Sequence, residues 1–248
     1  MHSPCPRSFN PKWPKVFPPL TEEQQRISND FMHHWHEVLP QKYSILDRFG
    51  HFYPVTHAPV RFTTTLEIGA GLGEHMEYER LSPEQEANYH AFDIRENMVR
   101  TYQERYPKVH AFVGDCQARL EFPDGHFDRV LAIHVLEHLP NLPLAIREVH
   151  RLCNQEHGQF SVVIPCEGGL AYGLARRISA QRIFERRYHQ PYRWFIEREH
   201  LSRPEEIISE LDPYFEIVHR AVFPFGFLPI PTINLVIGLT CRPRAQVK

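Results

Sequence analysis

No excess of either charge runs through the sequence. Lys and Arg total 28 against 30 Asp and Glu, for a formal net charge of −2 and a pI near 6.8. With only five lysines and no broad Lys-rich surface, the chain lacks the basic footprint of a dedicated nucleic-acid binder. No CxxC pair occurs among the five cysteines, at positions 5, 116, 153, 166 and 241. That excludes a zinc ribbon, gives no disulfide framework and fits a reducing compartment. The N-terminus lacks the apolar stretch of a secretory signal, so a cytoplasmic location is expected. One run without a charged residue, Ala221 to Cys241, is long enough to span a bilayer. Pro224, Pro229 and Pro231 interrupt it, and its β-branched second half reads as a strand, so no transmembrane helix is expected. Internal repeats are absent, and the only biased tract is a Pro-rich start.

What is present is an ordinary globular composition. The 248 residues are 42% hydrophobic and 23% charged, enough for a sizeable core in one large domain or two small ones. Six prolines before residue 20 make the start an extended arm. Thr21 and Gln24 form a capping box for a helix that carries Ile27, Phe31, Trp35 and Val38 on one face and stops at Pro40. From residue 62 strands and helices alternate: FTTTLEI, YHAFDI, a helix over RENMVRTYQERY, HAFVGD, FDRVLAIH, a helix over LPLAIREVHRLC and then QFSVVIP. The helix 142–153 is expected to bury Leu144, Ile146, Val149 and Leu152. PEEIISEL follows a long insert, and FEIVHRAVF and INLVIGLTC close the chain with no helix between them. The pattern predicts an α/β fold: a Rossmann-like, doubly wound seven-stranded sheet, mostly parallel, with a C-terminal antiparallel β-hairpin at one edge.

The chemistry concentrates at Leu66-Glu67-Ile68-Gly69-Ala70-Gly71-Leu72-Gly73-Glu74, a Gly-rich turn between strand and helix. Turns of this kind bind ligands at the C-terminal edge of α/β sheets. A dinucleotide fingerprint would need glycine at 74, where Glu74 stands and would repel a pyrophosphate. Glu67 suits a ligand carrying positive charge. Asp93, at the end of the second strand, suits ribose hydroxyls. The ligand expected is therefore an adenosine with a cationic tail and no phosphates, a description that S-adenosylmethionine fits.

Five segments in register, E-I-G-A-G-L-G (67–73), F-D-I-R-E-N-M (92–98), G-D-C (114–116), F-P-D-G-H-F-D (122–128) and H-V-L-E-H-L (134–139), resemble the successive motifs of class I S-adenosylmethionine-dependent methyltransferases, of the small-molecule, methyltransferase-11-like type. The resemblance implies that Glu67, Gly69 and Gly71 line the methionine part of the cofactor. Asp93 would hold the ribose and Ile94 would pack on the adenine. Asp115 would meet the adenine amino group with the Cys116 backbone beside it, and His134 would lie next to the methionine ammonium. The helix after the Gly-rich turn departs from the pattern, because Ser82-Pro83 interrupts it. The implied division is an N-terminal arm and helical lid over 1–61 and a cofactor-binding domain over 62–248. Its substrate cap would be the insert at about 166–203, with the helix 21–38 and segment 43–57 as lid.

Methyl transfer needs an aligned nucleophile and often a base, and His134 and His138 are candidates, one turn apart if their segment is helical. His134, Glu137 and His138 are also metal-ligand types. They resemble the E-x-x-E-H segment of ubiquinone-pathway O-methyltransferases and small-RNA 2′-O-methyltransferases, with His200 as a fourth donor. A divalent ion is the secondary expectation, of zinc rather than magnesium type because of the nitrogen donors. The insert carries eight arginines against four acids, interleaved with aromatics, and suits an anionic or planar acceptor such as a glycan precursor. O-methylation of such a small acceptor is the expected activity. RNA or protein methylation and cofactor binding without catalysis are the alternatives. An amino-methylating N/D-P-P-Y motif is absent, since AIHV stands at that position.

Overall fold

Residues 12–42, 44–228 and 230–245 are described in the computed structural model of the chain, and their seven strands form one sheet. The strands are β1 Thr65–Ile68, β2 Tyr89–Asp93, β3 His110–Val113, β4 Arg129–Ile133, β5 Gln159–Pro165, β6 Phe215–Phe223 and β7 Val236–Pro243. Their order is β3-β2-β1-β4-β5-β7-β6. The first five run parallel, and β7 lies antiparallel between β5 and the edge strand β6. The strand order reverses between β1 and β4, the place where such sheets form a ligand crevice. The central strands are buried along most of their length, as their apolar runs require.

Two strands begin later than their sequence pattern suggests, each for a local reason. β1 starts at Thr65 because the amides of Thr63 and Thr64 donate to the Asp128 carboxylate, at 2.8 and 3.1 Å, instead of to a ladder. β7 starts at Val236 because Pro231–Ile233 forms a short 3-10 turn. Asn234 holds that turn, accepting from the Phe225 amide and donating to the carbonyls of Leu228 and Ile230. Among the described residues no helix is long and apolar enough to cross a membrane, and the uncharged run is instead strand, loop and strand.

Helix α1 (Glu22–Lys42) opens on the expected capping box: Thr21 Oγ1 accepts from the Gln24 amide at 3.2 Å, and Gln24 Oε1 from the Thr21 amide at 3.1 Å. Pro40 does not end the helix. It lies within it, because one missing N–H removes a single rung while the flanking turns continue. The side chains of Trp35 and Val38 lie outside the described part. Helix α2 (Ser44–Thr56) follows. Its expected role as lid is only partly met, because Tyr53 is buried against Val163 and Val236 and its phenol reaches Thr240 at 3.0 Å. A Cβ at Gly238 would stand 2.6 Å from the Tyr53 ring. Gly238→Ala is therefore expected to unseat α2 and cost about 1–3 kcal/mol. A thermal melt indistinguishable from wild type would contradict this packing.

A 3-10 turn (Glu74–Glu77) and the short α3 (Pro83–Ala87) follow β1, which confirms the interrupted helix. Helix α4 (Glu96–Arg105) precedes β3, and α5 (Leu142–Leu152) precedes β5. In α5 the buried apolar residues are Leu142, Ala145, Ile146, Val149 and Leu152. Leu144 is 40% exposed, since Leu142 sets the inner face and a residue two positions on points to the opposite side.

The insert after β5 folds as α6 (Leu170–Arg176), a π-turn (Arg177–Gln181), α7 (Arg182–Tyr188) and α8 (Arg193–Glu199), and α9 (Pro204–Leu211) leads to β6. Phe31 of α1 is buried in the insert among Phe184, Tyr192 and Phe195, with edge-on contacts at 5.0 Å to Phe184 and 5.1 Å to Phe195. Asp30 accepts from the Tyr188 hydroxyl at 2.6 Å. The described part of the arm is extended and crosses α9. Lys15 reaches the Leu201 carbonyl and Glu206, and the Trp13 indole reaches Glu210.

Candidate active site

Gly69 begins the turn after β1 with φ +64°, and a Cβ there would stand 2.5 Å from Val135. Only glycine supplies that backbone while letting the turn lie against the segment after β4. Glu74 folds back so that Oε2 accepts from the Leu72 amide at 3.0 Å. The turn's own carboxylate thus takes an amide that a phosphate would need. Asp93 is buried at the end of β2. Its Oδ2 accepts from the Gly71 amide at 3.2 Å, and Oδ1 from the amide and guanidinium of Arg95. A carboxylate fixed from both sides presents its remaining lone pairs in one direction. Ile94 beside it is 66% exposed.

Glu67 lies inside the sheet rather than on the turn. Its Oε2 accepts from the hydroxyls of Tyr89 at 3.0 Å and Tyr102 at 3.1 Å. Burial pushes its carboxyl up to about 8, against the two tyrosine hydrogen bonds that pull it down. Burial thus favours the protonated form of Glu67. Asp115 follows β3, and its Oδ1 accepts from the amide and side chain of Gln117. Cys116 is buried, and burial pushes its thiol up to about 12, so it is an inert packing residue.

The chain leaves β4 through His134, whose amide donates to Val163 O at 2.9 Å and whose φ is +54°. A left-handed histidine is uncommon, and here it turns the chain into a short 3-10 turn, Leu136–His138. His134 and His138 are therefore not stacked one α-turn apart. Glu137 is buried, with His134 Nδ1 at 3.5 Å and His138 Nε2 at 3.8 Å from Oε1. Its Oε2 is buried without a hydrogen-bond partner among the described residues. Burial pushes the Glu137 carboxyl up, but His134, His138 and His200 outweigh it and hold it below its ordinary value. The Glu137 carbonyl accepts from the amides of Leu201 and Ser202, clamping the loop after α8 onto this turn.

That clamp delivers His200. Its Nδ1 lies 3.0 Å from Glu167 Oε2, and His138 Nδ1 bonds the Glu199 carbonyl. A carbonyl and a carboxylate only accept, so both rings donate from Nδ1, and the neutral form of each then carries its lone pair on Nε2. Glu137, His138 and His200 bring ligand atoms within 4.8 Å of one another. Their types fit a divalent ion, with Glu167 and the Glu199 carbonyl orienting the two imidazoles from behind. His134 is not part of that group, because its left-handed backbone places it on the α2 side, with Nε2 against Gly50.

Comparison with known proteins supports the reading of these two turns. Residues 66–160 match the family model described as "Methyltransferase domain", which spans both turns and the acids at 93 and 115. Over that stretch the chain carries a methyltransferase domain, consistent with the class I S-adenosylmethionine-dependent methyltransferases. Its cofactor is S-adenosylmethionine. The methyltransferase is also similar in fold to an S-adenosylmethionine-dependent methyltransferase of Thermotoga maritima, at 15% identity and a TM-score of 0.56 over 88% of this chain and 98% of that one. One from Methanosarcina mazei gives 19% identity and a TM-score of 0.53, over 78% and 99% of the two chains. The cyclase SpnF gives 14% and 0.54, over 81% and 82%. At such identities the likeness shows the fold alone, and the cyclase illustrates that this fold does not fix the reaction. No curated protein matches the methyltransferase.

One residue of this cluster escaped sequence reasoning. Glu167 was read as one charge of the insert, although an acid two residues past β5, on the sheet's C-terminal edge, is placed to face the crevice. Arg203 lines a cleft with Cys166, Glu167, Gly168, Gly169, Glu205, Pro231 and Thr232. Of the eight insert arginines, Arg176 pairs with Glu167, Arg187 with Asp30 and Arg193 with Glu197, while Arg198 bonds the Pro18 carbonyl. Those four are structural.

Proposed function

We propose that the chain transfers the methyl group of S-adenosylmethionine to a hydroxyl oxygen of a small, anionic acceptor of glycan type. The observation that carries this reading is the pair of imidazoles, His138 and His200, each held from behind through Nδ1 at the turn that touches the Gly-rich loop. Gly69, Gly71 and the buried Glu67 would line the methionine portion. A cationic ligand there favours loss of the Glu67 proton. Asp93 would take the ribose hydroxyls, Ile94 the adenine face, Asp115 and the Cys116 backbone the adenine edge, and His134 the methionine end. The arm and helical lid over residues 1–61, with the cap at 166–203, would close over the acceptor, and Arg203 would receive its negative charge.

In-line attack on the sulfonium methyl needs the acceptor oxygen aligned and its proton removed. His138 takes that proton on Nε2 while its Nδ1–H stays on the Glu199 carbonyl, and buried Glu137 stabilises the imidazolium that forms. The products are the O-methyl acceptor and S-adenosylhomocysteine. Incubation with methyl-labelled donor and a panel of anionic hydroxyl compounds, followed by mass-spectrometric location of the label, tests this. An O-methyl product is expected. Label found on nitrogen, on RNA or on protein would overturn the assignment.

The unpartnered Oε2 of Glu137 favours a second reading, in which Glu137, His138 and His200 hold a divalent ion of the zinc class. A bound ion would polarise the acceptor oxygen as a Lewis acid. The base reading predicts activity unchanged by a strong chelator and less than stoichiometric metal by elemental analysis. Loss of activity on chelation, restored by zinc, would establish the metal instead.

A further inference from the structure

Leu170 and Leu174 on α6 and Ile178 in the π-turn recur every fourth residue and are 78%, 62% and 68% exposed. The loop between β6 and β7 exposes Phe225, Phe227, Leu228 and Ile230. The two sets are neighbours, because the start of α6 rests on that loop: a Cβ at Gly169 would stand 2.9 Å from Pro231 O and 3.3 Å from Thr232 Cα. Seven large exposed apolar side chains on two adjoining segments are more than scattered surface hydrophobics. The four-residue spacing then continues in α7 with Arg182 and Arg186, and Arg177 adjoins Ile178. None of these three arginines has an ion-pair partner among the described residues. The acid between them, Glu185, already accepts from Gln181.

We infer that this face docks the protein on an anionic lipid surface, with the leucines, isoleucine and phenylalanines in the acyl boundary and Arg177, Arg182 and Arg186 on lipid phosphates. The charge argues for that occupant. A second copy would set unpaired arginines against arginines. Residues 1–11 offer only Met1 and Phe9 as large apolar groups and bring Arg7, so they complement neither half of the face. An apolar face with a cationic flank and no spanning helix is the pattern of a monotopic membrane surface. The cleft lined by Glu167, Gly169, Arg203 and Thr232 lies where the two halves of the face meet. If the proposed function holds, an acceptor whose head is polar and whose tail stays in the bilayer can enter there.

The test is co-sedimentation of the full chain with phosphatidylcholine vesicles, with or without added phosphatidylglycerol. Wild type is expected to bind the anionic vesicles and to release in high salt. Arg182→Glu with Arg186→Glu is expected to weaken that binding by about thirty-fold or more. Leu174→Ser with Phe227→Ser, at exposed positions that leave the core intact, is expected to weaken it by at least about ten-fold. Asp93→Ala, aimed at the donor site, is expected to dock as wild type does, so failure of docking and failure of the methyl-transfer reading are separate results. Absence of wild-type binding, or binding indifferent to both surface variants, would overturn the inference. So would a dimer in analytical ultracentrifugation that Leu174→Ser with Phe227→Ser dissolves.

Discussion

Glu79→Gln is expected to lower the melting temperature by about 10 °C, the largest effect of any single change away from the site. Arg129, at the start of β4, is fully buried, and its Nη1 stands 2.7 Å from Glu79 Oε1. Its Nη2 donates to the Pro54 carbonyl of α2 at 2.9 Å, and Glu79 also accepts from His75 at 2.8 Å. Removing the carboxylate leaves a guanidinium in the interior without a counter-charge, at a cost of roughly 3–5 kcal/mol. Replacing both partners, Arg129→Met with Glu79→Leu, is expected to recover most of the loss, because the desolvation penalty goes with the charge. A Glu79→Gln chain melting within about 2 °C of wild type would remove the ion pair from the account.

The same group sets the acid limb of stability. Burial pushes the Glu79 carboxyl up, but His75 and Arg129 outweigh it and hold it at about 2. Burial also pushes His75 down to about 4. Both values lie below those of the unfolded chain, so at mildly acid pH the unfolded state binds more protons and stability rises with pH. The contribution is complete above about pH 6.5 and is lost as pH falls towards 2. Denaturant midpoints measured across that window should fall for wild type and change less for the double replacement.

His138→Gln is expected to reduce kcat by about 10²–10⁴-fold while the affinity for S-adenosylhomocysteine stays within about two-fold. Glutamine can still donate to the Glu199 carbonyl, so the loop carrying His200 keeps its anchor. What it lacks is a basic nitrogen facing the acceptor. His134→Gln should behave differently, raising the donor KM more than it lowers kcat, because His134 is assigned to the methionine end of the cofactor. An unchanged kcat in His138→Gln would exclude that imidazole from the chemistry.

Much of the fold was legible because its signals are local. Apolar runs such as Val130–Ile133 and Val162–Ile164, separated by amphipathic helices, dictate a parallel sheet, and two strands without a helix between them dictate an antiparallel pair. The Gly-rich turn and Asp93 were legible for the same reason. What escaped depends on contacts between distant segments. Nothing near Arg129 announces a carboxylate fifty residues upstream, and nothing in β1 announces that Tyr89 and Tyr102 close over Glu67. The left-handed backbone of His134 accompanies a hydrogen bond from its amide to the Val163 carbonyl, a contact that an H-x-x-E-H spacing does not announce. Leu144 shows the ordinary failure of periodicity, in which a helix face chosen one residue out of phase exchanges a buried alanine for an exposed leucine.

The donor site is tested most directly by calorimetric titration of S-adenosylhomocysteine into wild type and Asp93→Ala. One-to-one binding by wild type is predicted, at least about a hundred-fold weaker in the variant, since the carboxylate proposed to hold the ribose hydroxyls is removed. Folded wild-type protein that takes up no S-adenosylhomocysteine would contradict the account.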